Sequence, residues 1–145
     1  MKLFSFFKPK PKLVVDTRLG PFTLVYSKNG RNTWSGNLDE ITLTVKGSEI
    51  QPDLEQIAFL ADYKHEINKL DLAITKKLKS ELSDAGFNVA FQIWQDRFKL
   101  ISADVMVCLE KEAFWNITLA DQHEPYAHFT LFIEGNKLTD VSIDT

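Results

Sequence analysis

Two stretches in which apolar and polar residues alternate flank one stretch in which apolar residues recur every three or four positions. This order restricts the fold more than any other feature of the chain. Phe22, Leu24 and Tyr26 alternate with Thr23 and Val25 ahead of Ser27-Lys28-Asn29-Gly30, and Ile41, Leu43 and Val45 alternate with Thr42 and Thr44. A period of two closed by turn residues reads as strand and hairpin. With Leu13 to Val15 and Thr33 to Gly36 as further strands, residues up to 47 read as a β-meander.

The texture changes at Gln51-Pro52. Proline suits the first position of a helix, and Asp53 and Glu55 in the first turn favour its dipole. Apolar residues then fall at Ile57, Leu60, Tyr63, Ile67, Leu70, Ile74, Leu78 and Leu82, one stripe of helical spacing. An unbroken helix over 52–85 would run about 50 Å, more than a domain of this size is wide. The stripe therefore predicts a break between Tyr63 and Leu72, and a stop at Ala85-Gly86.

Residues 87–98 are apolar and aromatic, with a periodicity that does not choose between helix and strand. Beyond them Ile101, Ala103, Val105, Val107 and Leu109 alternate with Ser102, Asp104, Met106, Cys108 and Glu110. Runs at Trp115 to Leu119, Phe129 to Ile133 and Leu138 to Ile143 complete a second meander. The expectation is an α+β domain over 13–145, a mainly antiparallel sheet (meander, helical block, meander) with the helices packed on one face.

The first twelve residues carry Lys2, Lys8, Lys10 and Lys12 around Leu3, Phe4, Phe6 and Phe7. The apolar run is too short for a secretory signal, so a cytoplasmic location is expected. Pro9 and Pro11 stop a helix early, so the segment reads as a flexible basic leader. Its alternative use is peripheral contact with an anionic membrane surface. A net charge of −3 over 145 residues argues against a nucleic-acid partner.

Signatures of chemistry are scarce. There is no GxGxxG, no GxxxxGK[ST] and no GxSxG, and the one cysteine, Cys108, rules out multi-cysteine metal sites. In a regular strand Cys108 lies on the face opposite Val105 and Val107, where it reads as an inert strand cysteine. No cofactor is expected. The segment Asp121-Gln122-His123-Glu124-Pro125-Tyr126-Ala127-His128 gathers acids, imidazoles and a phenol on one loop. Its first reading is a polar connection between strands. Its second is a metal or acid/base site built on His123, His128 and Asp121, as in a small metal-dependent hydrolase.

From residue 100 onward the chain holds Asp104, Glu110, Glu112, Asp121, Glu124, Glu134, Asp140 and Asp144 against Lys111 and Lys137. Such an acidic face suits a basic protein partner and speeds its approach. The candidate contact residues are Glu110, Glu112, Asp121, Glu124 and Tyr126, joined by Trp34 if it is an exposed anchor beside a glycine turn.

Three separated segments carry a resemblance. Asp16 through Gly20-Pro21-Phe22, Asn32-Thr33-Trp34-Ser35-Gly36 with Ile41-Thr42-Leu43, and Phe114-Trp115-Asn116 through Ala127-His128-Phe129-Thr130-Leu131 resemble a bacterial family of unknown function. That family has an opening D-x-x-(L/F)-G-x-(F/L) strand, a W-x-G turn, a central helical region and a late strand with an aromatic residue followed by His. Where the family carries an acidic D-G turn before the His, this chain has Asp121 to Tyr126. Its members are often encoded near toxins, so the resemblance implies an immunity protein: a non-enzymatic domain that neutralises a cognate toxin by binding it. It transfers no catalytic residue.

Overall fold

The computed structural model describes residues 12–109 and 112–145. The first meander consists of β1 (Val14–Thr17), β2 (Gly20–Lys28), β3 (Arg31–Leu38) and β4 (Ile41–Lys46), and the helical block of α1 (Leu54–Leu60), α2 (Tyr63–Asn68) and α3 (Asp71–Asp84). A short 3₁₀ turn (Trp94–Asp96) then leads into β5 (Phe98–Leu109), β6 (Glu112–Asp121), β7 (His128–Glu134) and β8 (Lys137–Asp144). All eight strands form one sheet in sequence order. Neighbours are antiparallel except β4 and β5, which pair in parallel through Thr42–Ser102, Leu43–Ala103 and Thr44–Asp104. A parallel step needs a crossover longer than a hairpin, and the three helices supply it. The result is a mixed α/β fold dominated by a mostly antiparallel sheet, with three short helices.

Strand alternation becomes burial. Leu43 and Val45, Ala103 and Val105, Ile117 and Leu119, and Leu131 and Ile133 are buried, while the residues between them are half-buried or exposed. Ile57, Leu60, Ile67, Leu70, Ile74, Leu78 and Leu82 of the helical stripe belong to the same hydrophobic cluster as these strand residues. Phe59 meets Trp115 edge to face at 5.0 Å. Gly36 stands next to Phe22, and a Cβ there would come within 2.8 Å of the Phe22 ring, so the aromatic ring takes the space a side chain would fill.

Several expectations need correction. Pro52 precedes the helix rather than starting it; the N-cap is Asp53, whose carboxylate accepts from the Glu55 and Gln56 N–H groups. The helical block breaks twice, at Ala61-Asp62 and at Lys69-Leu70, so one break lies just ahead of the expected window. Its stop at Gly86 is as expected: with φ of +81° there, the Phe87 N–H reaches back to the Leu82 carbonyl at 2.9 Å. Residues 87–98 hold the 3₁₀ turn and the first residue of β5.

Thr33 to Gly36 lie in β3, as the strand reading expects, so the W-x-G of the resemblance is strand rather than turn, and Trp34 is fully buried, with its Nε1 donating to the Ser48 carbonyl at 2.9 Å. Finding that acceptor inside the fold removes Trp34 as an exposed anchor. A bulge between Val105 and Val107 inserts Met106 and reverses the strand's phase, so Val107 is exposed and Cys108 packs against the core. The basic leader, except Lys12, and Glu110 lie outside the described residues. Among the described residues no helix is long and apolar enough to cross a membrane.

Candidate functional site

β6 ends at Asp121 and β7 begins at His128, and the loop between them rests on one buried ion pair. Arg97, at the junction of the 3₁₀ turn and β5, donates from Nε to Asp121 Oδ1 at 3.0 Å and from Nη2 to Oδ2 at 2.9 Å. Its Nη1 reaches the Asn88 carbonyl. The side chains are only 6% and 1% exposed. Arg97 also lies against two rings, 5.7 Å from the Phe98 centroid and 6.0 Å from that of Phe91.

The same pair shapes the loop. Asp121 Oδ1 accepts from the His123 N–H at 2.9 Å, and the Gln122 N–H donates to the Arg97 carbonyl at 3.0 Å. Burial by itself would push the Asp121 carboxyl up, but hydrogen bonds from Arg97 and the loop N–H groups, with the guanidinium charge, hold it below its ordinary value. Asp121 is therefore a committed carboxylate, not a rim charge for a partner, and its lone pairs are already occupied. Arg97, one of three arginines in the chain, escaped notice in the sequence because its partner lies 24 residues away.

The loop presents its remaining side chains outward. Glu124 is exposed, and Tyr126 is 88% exposed, the most exposed of the large apolar or aromatic side chains among the described residues. His123, also exposed, borders a cleft of about 250 Å³ with Asn88, Phe91, Gln92, Asp96 and Arg97. His128 stands in register between Ala120 and Asp144 and is not among the residues that line that cleft. Glu112 is exposed at the start of β6. Among the described residues no three His, Cys, Asp or Glu side chains converge as a metal site would require. No hydroxyl or thiol nucleophile lines the cleft beside His123. The half-buried Cys108 thiol is pushed up by burial, then by the charges of Glu55 and Asp53, which disfavours the reactive thiolate.

The sheet face opposite the buried residues is lined with small polar groups. Asn37, Thr42, Ser102, Thr118, Thr130 and Ser142 stand opposite one another across six strands. Two residues along, Thr23, Ser35, Thr44, Asp104, Asn116, Phe132 and Asp140 make a second row over seven. Asp104 is distinctive there: its Oδ1 is covered and has no hydrogen-bond partner. Burial pushes its carboxyl up, with the Lys46 charge and the Asn116 amide opposing.

Compared with protein-family models, curated proteins and solved structures, the chain matches none.

Proposed function

We propose that this chain is a non-enzymatic protein-binding domain that acts in the cytoplasm as an immunity protein, holding a basic toxin inactive by covering it. The observation that carries the reading is the Arg97–Asp121 pair. A buried, bidentate ion pair is costly to assemble, and here it sets the geometry of an exposed loop bearing Glu124 and Tyr126. An outward tyrosine beside a carboxylate suits a contact surface, since it offers large area for only two rotatable side-chain angles. Glu112, and Glu110 beyond the described residues, add to the negative field that would draw in a basic partner.

In the same reading the helical block covers the buried side of the sheet, leaving the loop free for contact. The resemblance to a toxin-associated family agrees with this assignment. The hydrolase alternative finds less support, because Asp121 is occupied by Arg97.

The test is co-expression with a growth-arresting protein encoded beside this chain. Growth should recover with the wild type and fail to recover with Tyr126→Ala plus Glu124→Lys. Normal rescue by that double variant, or the absence of any such neighbour, refutes the proposal.

A further inference from the structure

We infer that the polar face of the sheet is a self-association surface on which a second copy of this chain seats face to face. The two-fold axis runs parallel to the strands, between β4 and β5. This inference uses a surface distinct from the Tyr126 loop and does not depend on the toxin-binding reading.

Charge is its first support. By register, the β1–β4 half of the face carries Lys28, Arg31 and Lys46 against Asp16. The β5–β8 half carries Asp104, Glu134, Asp140 and Asp144 against Lys99 and Lys137. Among the described residues Lys28, Arg31, Lys46, Asp104 and Glu134 have no ion-pair partner. The two-fold rotation lays β2 over β7 of the second copy and β4 over its β5. Lys28 then approaches Glu134, and Lys46 approaches the Asp104 carboxylate. Each contact occurs twice, as a self-complementary patch requires.

Shape and area agree. Eight strands about 4.8 Å apart, with the four residues of β1 and six of each other strand in play, give a face about 38 Å by about 20 Å. That is about 750 Å² from each copy and about 1,500 Å² in all, within the range of a stable, specific interface. Short serine and threonine side chains let two such faces approach closely. The half-exposed Phe132 ring of one copy comes opposite β2 of the other, next to the groove of about 440 Å³ lined by Tyr26, Thr33, Lys46 and Met106.

The test is sedimentation equilibrium of the full chain from low to high micromolar concentration. A monomer–dimer equilibrium is expected, weakened at least tenfold by Lys28→Glu and by Glu134→Lys singly, and restored towards the wild type when both changes are combined. Both positions are exposed, so the variants should fold, and an unchanged urea midpoint verifies it. Asp104→Asn should weaken the dimer as well. A chain that stays monomeric throughout overturns the inference. So does a dimer indifferent to these charges, or a monomer whose sheet face instead binds a different protein.

Discussion

Replacing Arg97 with methionine should destabilise this protein more than any surface substitution. Methionine keeps much of the side chain's length and its contact with Phe91 and Phe98, but it removes the three donors that reach Asp121 and Asn88. The Asp121 carboxylate is then left 1% exposed, with only the loop N–H groups for partners. Breaking a buried pair from one side costs about 3–5 kcal/mol, a large share of the roughly 5–15 kcal/mol that stabilises a typical domain. At about 2–4 °C per kcal/mol for a chain near this length, the thermal midpoint should fall by about 10 °C. Removing both charges in Arg97→Met with Asp121→Leu should recover most of the loss, because no uncompensated ion remains. Urea titration followed by tryptophan fluorescence gives all four corners of the double-mutant cycle. A loss below about 1 kcal/mol for Arg97→Met alone, the scale of an exposed pair, refutes the reasoning.

Acid should act through the same pair. Because the folded Asp121 carboxyl is held low, its contribution is complete above the unfolded value of about 3.9 and is lost as the pH falls through the lower folded value. Chemical denaturation across that window should show a steeper acid loss in the wild type than in the doubly neutral variant. Substituting Gly36 with valine should cost about 1–3 kcal/mol, since its Cβ meets the Phe22 ring at 2.8 Å, and Phe22→Leu should relieve part of that cost. Leu70→Ala should cost about 2–5 kcal/mol in the same urea assay, and an unchanged midpoint would mean that the helical stripe is not core.

What the sequence revealed and what it hid follow one physical division. Patterns that repeat along the chain were legible: period two in β4 and β6, period three-and-four in the helical block, and the Gly86 stop. Single-residue events were not. One extra residue at Met106 turned Cys108 from the outer face to the core, and nothing in the local composition marks a bulge. Trp34 close to Gly36 suggested an exposed anchor, whereas its indole N–H is satisfied inside the fold by an acceptor 14 residues away at Ser48. The candidate site was half legible. Glu124 and Tyr126 were visible as an acidic, aromatic loop, but the Arg97 that organises it lies beyond the reach of local patterns. Asp104 escaped for a related reason, since its covered position depends on β4 and β6 lining up beside it.

Whether the Tyr126 loop is the binding element is tested most directly by surface plasmon resonance with the growth-arresting neighbour protein, at low and high salt. Tyr126→Ala should dissociate at least tenfold faster, because a central aromatic contact acts on the lifetime of a complex. Glu124→Lys should instead slow association, by an amount that shrinks as salt screens charge beyond about 8 Å. If both variants bind and release the partner as the wild type does, the loop held by Arg97 and Asp121 is not where this protein meets its target.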